Sequence, residues 1–221
     1  QKELNIEKNI LKFNDENKDV ITPVISDKND LLDLDPRFTQ GQKDAISMVL
    51  TTSDRFVTVQ GLAGVGKTTM MKEVNKRASA YGVQVYGITP TNRARIELSE
   101  TGIKTQTVES FLQSEQKFPE KSIFILDEAS MVGSQNFEAL QKQIIGYNCV
   151  MVSTGDITQL QSISAGIPHE VNVKTKSQNT AFMNDIVRQL ANPELREAAY
   201  KASEGNIKLS HKYINMIDSK K

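Results

Sequence analysis

The sequence predicts a three-layer α/β fold with a mostly parallel central sheet, extended by an N-terminal arm and a C-terminal helical tail. Three observations carry this reading. Strand-sized apolar runs at 56–59, 83–88, 123–126 and 149–152 alternate with helical stretches of about ten residues, the pattern of strand–helix–strand units. The run Ile123-Phe124-Ile125-Leu126 is continuous rather than alternating, as in a strand buried on both faces. A glycine-rich turn separates the first of these strands from the helix that follows it.

Taken in order, residues 1–35 carry nine acids and five lysines, a charge of −4. Their helical pattern is confined to Leu4, Ile6, Ile10, Leu11 and Phe13. The stretch 15–35 is polar and contains Pro23, which suits a linker or a loosely docked strap on a solvated lead-in. From Pro36 the pattern changes. Phe38-Thr39-Gln40-Gly41-Gln42 precedes an amphipathic run with Ala45, Ile46, Val49 and Leu50. Thr39 suits an N-cap, with Gln42 three residues on in a capping box. Further helices are expected at 67–80, opening at 94–98, at 108–112 and at 137–145, and in the tail at 194–202 and 207–217. The division expected is an arm at 1–35, a central domain at 36–192 and a helical tail at 193–221.

Composition excludes several classes. The chain has 221 residues, and its one cysteine, Cys149, leaves no disulfide framework and no multi-cysteine zinc or iron–sulfur site. His169 and His211 stand apart from any metal-ligand spacing and read as structural or surface residues. No apolar run approaches the ~20 residues of a membrane helix, and no basic leader precedes an apolar stretch, so the expectation is a cytoplasmic protein without a membrane partner. An opening Gln in place of Met suits a fragment or a processed chain. The 27 basic and 27 acidic residues cancel, which argues against wholesale coating of nucleic acid. The zero is composite: the arm carries −4, residues 36–115 carry +3 and the remainder +1, so a local basic path survives.

The strongest motif is Gly61-Leu62-Ala63-Gly64-Val65-Gly66-Lys67-Thr68, followed by Thr69. It fits G-x-x-x-x-G-K-[ST] between a strand and a helix, the context the motif requires. Glycines bring backbone N–H groups close to phosphate oxygens, and the following helix points its positive end at the same anion. Lys67 is placed for the β- and γ-phosphates of ATP and Thr68 for Mg²⁺. The buried strand at 123–126 ends in Asp127-Glu128, at the carboxyl edge where α/β sheets bind ligands. Asp127 suits Mg²⁺, and Glu128 suits orienting or deprotonating a water, which favours hydrolysis. Ser153-Thr154-Gly155-Asp156-Ile157-Thr158-Gln159 follows the next buried strand, with Gln159 as γ-phosphate sensor. Thr91, Asn92 and Arg93 follow a strand and suit the phosphates of a strand of nucleic acid; a helix N-cap with a surface arginine explains them equally well. Thr105-Gln106-Thr107 with Phe111 invites base stacking, against a core role for Phe111. Arg188 suits an arginine finger or a surface position.

In series, GLAGVGKTT, TPTNRA, TQTVESFL, LDEASMV, GDITQLQSISAG and IVRQ resemble the motifs of superfamily-1 helicases of the 5′-to-3′ branch. The resemblance is strongest to the helicase part of conjugative relaxase-helicases of the TraI/TrwC type and covers about residues 37 to 197. It implies a RecA-like P-loop NTPase, with Gln42 reading adenine, Gln159 coupling nucleotide state to DNA, and Thr91, Asn92 and Thr107 along the DNA path. It implies the translocation direction too. Such motors have two RecA-like domains and, in this family, a relaxase domain; neither the second motor domain nor the relaxase fits in these 221 residues. The chain is therefore expected to bind ATP weakly and hydrolyse it poorly alone. A P-loop kinase would need an acceptor pocket and a basic lid, which the sequence does not display. A degenerate DNA- or partner-binding module is opposed by the intact Lys67, Thr68, Asp127 and Glu128. A conjugative and a RecD-like repair setting both remain open on the residues alone.

Overall fold

The computed structural model describes residues 2–159 and 166–185. Along the chain lie α1 (Lys2–Glu16), α2 (Gln40–Thr51), β1 (Phe56–Gly61), α3 (Lys67–Ala80), β2 (Gln84–Thr89), α4 (Asn92–Ser99) and β3 (Lys104–Thr107). They are followed by α5 (Val108–Gln113), β4 (Lys121–Leu126), α6 (Ser134–Ile144), β5 (Asn148–Gly155), α7 (Pro168–Thr175) and β6 (Asn179–Met183). The six strands of the described residues form one sheet in the order β3-β2-β4-β5-β1-β6, and every pairing is parallel.

Alternation along the central strands makes the three layers. Val57, Val59, Ile123, Ile125, Val150 and Val152 join one core with Ile46 and Leu50 of α2 and Met70, Met71 and Val74 of α3. Their neighbours Phe56, Phe124, Leu126 and Met151 join the other, with Phe111 of α5 and Phe137, Leu140 and Ile144 of α6. Each strand residue thus has a hydrophobic helix face opposite it, on whichever side it points. The capping box expected at α2 is present: Thr39 accepts from Gln42 N–H while the Gln42 side chain accepts from Thr39 N–H. Cys149 is buried, and burial pushes its thiol up to about 12, where it acts as a small hydrophobe.

The arm, expected to be solvated, is seated on this framework. Ile6 and Ile10 of α1 are buried in the second core, where α1 packs against α6. Ile21, Ile25 and Leu31 enter the first core. Between them the chain crosses the amino ends of the strands. Val20 and Ile21 donate to the carbonyl of Ser53, Ile25 donates to that of Leu50, and Lys121 Nζ donates to that of Pro23 at 3.0 Å. Asp33 then meets Arg77 of α3 at 2.6 Å. The arm's backbone bonds to the end of α2, to the turn before β1 and to the Lys121 side chain, and Ile21, Ile25 and Leu31 anchor it.

Asn14, 3 % exposed, is the hub of a buried polar network joining α1 to the rest. It donates to Asn172 at 2.8 Å and to Ser177 at 3.0 Å, and accepts from Gln141 and Gln178, both at 2.8 Å. The expected tail helices at 194–202 and 207–217 lie outside the described residues, as does His211.

Candidate functional site

The nucleotide loop leaves β1 at Gly61 and enters α3 at Lys67. Gly64 and Gly66 have φ of +80° and +81°, backbone that side-chain-bearing residues avoid. Val65 is buried, so only its backbone faces the loop's concavity, while Thr68 and Thr69 stand exposed at the start of α3. Lys67 Nζ donates to the carbonyl of Gly61 at 2.6 Å and of Leu62 at 3.2 Å. Gln42 Nε2 donates to the carbonyl of Gly66 at 3.3 Å, so the capping glutamine of α2 also steadies the loop. Gly41, which drew no attention in the sequence, lets this happen. A Cβ there would lie 2.6 Å from the carbonyl oxygen of Phe182, so only glycine lets α2 meet β6 this closely.

Beside the loop, β4 delivers Asp127 and Glu128. Asp127 N–H donates to the carbonyl of Ile88, and its Oδ1 accepts from Thr154 Oγ1 of β5 at 2.7 Å. Burial pushes the Asp127 carboxyl up. Glu128 is pushed up by burial and then by the charge of Asp127. Glu128 sits in the left-handed region at φ 53°, ψ 38°, strain that a Glu adopts only where its surroundings impose it. Asp127, Glu128 and the exposed hydroxyl of Thr68 at the start of α3 supply oxygen donors, and Lys67 is a cation close enough to act on both carboxyls. That donor set fits Mg²⁺ shared with phosphates.

After β5, Asp156 is 4 % exposed and organises its own loop. Its Oδ1 accepts from Thr158 N–H at 2.9 Å and Thr158 Oγ1 at 2.7 Å; its Oδ2 accepts from Gln159 Nε2 at 3.0 Å. Burial alone would raise this carboxyl, but the hydrogen bonds outweigh it and hold the group below its ordinary range. The exposed Gln159 is thereby folded back on Asp156.

Thr91 caps α4 by accepting from Ala94 N–H at 3.2 Å, and Thr107 caps α5 by accepting from Ser110 N–H at 3.2 Å. Thr91 lies two residues beyond Thr89, which pairs with Thr107 where β2 and β3 end, on the same sheet edge as the nucleotide loop. Asn92 accepts from Arg95, and the exposed Arg93 pairs with Glu97 at 3.1 Å. Phe111 is core, 2 % exposed and 5.3 Å from Phe118 ring to ring, so it does not stack on bases. Arg188 lies outside the described residues.

One further residue, Gln60, escaped the sequence reading, and His169, read as structural or surface, is a buried structural residue. Gln60, at the end of β1, accepts from Ile157 N–H at 3.3 Å. His169 of α7, 1 % exposed, places Nε2 3.4 Å from Gln60 Oε1. His169 also explains Gly155, where a Cβ would lie 2.9 Å from the ring. The only available signal for His169 was a polar residue in a stretch without helical periodicity.

A family model described as "AAA domain" matches residues 37–219. The chain is 38% identical over 207 residues to the Multifunctional conjugation protein TraI of Escherichia coli (strain K12), covering 88% of this chain and 12% of that protein. It is 36% identical over 135 residues to the Probable conjugal transfer protein TraA of Sinorhizobium fredii, covering 59% of this chain and 12% of that one. The chain thus spans about an eighth of the curated relatives it matches. Among solved structures, the Pif1 helicase of Candida albicans shares the fold at TM-score 0.56 and 20% identity, over 76% of this chain and 44% of that one.

Proposed function

We propose, for a chain that belongs to the AAA domain family, that it is the first ATP-hydrolysing motor domain of a conjugative DNA helicase. One observation carries the reading: the glycine loop, the Asp127–Glu128 pair and the Gln159 loop converge on the carboxyl edge of one parallel sheet.

The loop's backbone N–H groups, from Gly61 through Gly66, cradle the phosphates, and Lys67 gives up the carbonyls of Gly61 and Leu62 for β- and γ-phosphate oxygens. Thr69 extends the cradle at the start of α3. Thr68 and Asp127 hold Mg²⁺, which supplies charge neutralisation on the phosphates. Glu128, aimed by its left-handed backbone, orients the attacking water and accepts its proton. Gln159 exchanges Asp156 for the γ-phosphate and so reports nucleotide state. Gln42 reads adenine while it caps α2. Thr91, Asn92, Arg93 and Thr107 hold the phosphates of single-stranded DNA along the same edge.

The division proposed is an arm at 1–35, the motor at 36–192, carrying Arg188 as arginine finger, and a tail at 193–221. That tail leads to a second RecA-like domain, with a relaxase domain in the same cytoplasmic protein. ATP between two such domains drives their closure along the strand.

The test is phosphate release by the full-length protein with and without oligo-dT. Stimulation of at least several-fold is expected. Lys67→Ala should abolish nucleotide binding, and Glu128→Gln should retain binding while losing turnover. DNA binding indifferent to ATP and to Lys67→Ala would convert the reading to a binding module. The isolated chain is expected to hydrolyse ATP poorly; steady DNA-stimulated turnover by it alone would refute the need for a second domain.

A further inference from the structure

The loop from Asp156 to Gln159 is closed on itself by Asp156, which accepts from both Thr158 and Gln159. Such a closed loop moves as a unit, so its position depends on what holds it from outside. Gln60 reaches it from β1. Its Oε1 accepts from Ile157 N–H at 3.3 Å and faces Nε2 of His169 at 3.4 Å. Gln60 is 6 % exposed and stands in register with Gly155 of β5 on one side and Phe182 of β6 on the other. Its C-terminal neighbour is Gly61, whose carbonyl accepts from Lys67 at 2.6 Å. One side chain therefore connects the residue that Lys67 must release to the loop that carries Gln159.

We propose that Gln60 is a positioning residue that transmits the state of the nucleotide loop to the Gln159 loop. When Lys67 leaves Gly61 for a phosphate, the end of β1 relaxes, and the amide of Gln60 carries that shift to Ile157. His169 limits the freedom of that amide. Burial pushes the imidazole down to about 4, so it remains a neutral, uncharged wall above that pH. Gly155, bare because the ring rests there, lets α7 press this wall against the sheet. The inference rests on the motor reading above, and it adds a residue outside the motifs that suggested it.

The experiment uses the full-length protein with Gln60→Met, which keeps volume but loses the acceptor, and Gln60→Glu, which restores an oxygen acceptor at that position. Gln60→Met is expected to leave the KM for ATP within about two-fold while DNA-stimulated kcat falls at least ten-fold, and Gln60→Glu to recover most of that loss. A merely structural residue would change the two parameters together or show no rescue, and either result overturns the proposal. Hydrogen–deuterium exchange of the segment containing Ile157 gives a readout independent of turnover. It should accelerate in Gln60→Met and return toward wild type in Gln60→Glu; unchanged exchange overturns the proposal. If wild type shows no DNA-stimulated hydrolysis while exchange still responds, the motor reading fails and the positioning role stands.

Discussion

The buried imidazole of His169 makes folding stability fall on mild acidification. Its pKa drops from the ordinary 6.5 to about 4, chiefly because burial disfavours the charged ring and then because Lys67 is nearby; Asp156 opposes both. At pH 7 the ring is neutral in the folded and the unfolded chain, and no stability is lost. As pH falls below 6.5, the unfolded chain takes up a proton that the folded chain refuses, so the folded state loses ground. Below about 4 both forms are protonated and the loss levels off. At 1.36 kcal/mol per pKa unit, the plateau is about 3 kcal/mol, with about 2 kcal/mol reached by pH 5. Asp127 and Glu128, both raised, act in the opposite direction on acidification, because the folded state holds their protons more tightly. The measurement is therefore a difference. Urea unfolding of wild type and His169→Gln at pH 7, 6 and 5 should show wild type losing about 2 kcal/mol more than the variant between pH 7 and 5. A difference below about 0.5 kcal/mol would refute the reasoning, since it would mean that the ring is hydrated or already charged in the folded chain.

Three further outcomes follow from the packing. Gly41→Ala drives a methyl against the Phe182 carbonyl, whereas Gly146 has nothing within 4 Å of an added Cβ. Thermal unfolding should show a loss of about 1–3 kcal/mol for the first and under about 0.5 kcal/mol for Gly146→Ala. Asn14→Leu strands the amide donors of Gln141 and Gln178 in the interior; it should cost about 2–4 kcal/mol by urea titration. Asp156→Asn takes away the negative charge that holds both Thr158 and Gln159. It should loosen the Gln159 loop, seen as faster amide exchange at Ile157 and Thr158, with the unfolding midpoint little changed.

What was legible in the sequence followed from how narrowly a position is constrained. Gly64 and Gly66 occupy backbone that other residues avoid, so the loop announces itself. Ile123 to Leu126 are apolar because both faces of β4 are covered. Thr39 and Gln42 form a local box that needs no tertiary partner. The unread elements lie where burial is one-sided or polar. β3 and β6 are the two edges of the sheet, and Lys-Thr-Gln-Thr has no apolar run to display. The inward residues of α7 include His169 and Asn172, which erase helical periodicity. Gln60 was invisible for a different reason. Its partner Ile157 lies 97 positions away, and only the pairing of β1 with β5 brings them together.

The zero net charge has a spatial resolution that composition could not express. Arm residues between positions 17 and 25 bond to Arg55, Ser53, Asn148 and Lys121, at the amino ends of the strands or the turns leading into them, and to Leu50 in the last turn of α2. Asp30 and Asp33 continue to Tyr81 and Arg77 at the end of α3 that points the same way. The proposed DNA and nucleotide residues lie at the opposite edge. A six-residue strand is about 20 Å long, and at physiological salt the screening length is about 8 Å. Acids at the base of the sheet therefore exert little field on a phosphate at its top. The arm fastens the amino ends of the strands and leaves the carboxyl ends to move. That division favours a mechanism in which small shifts of Gly61 and Ile157 against a fixed base, rather than rearrangement of the sheet, carry the signal of a bound nucleotide.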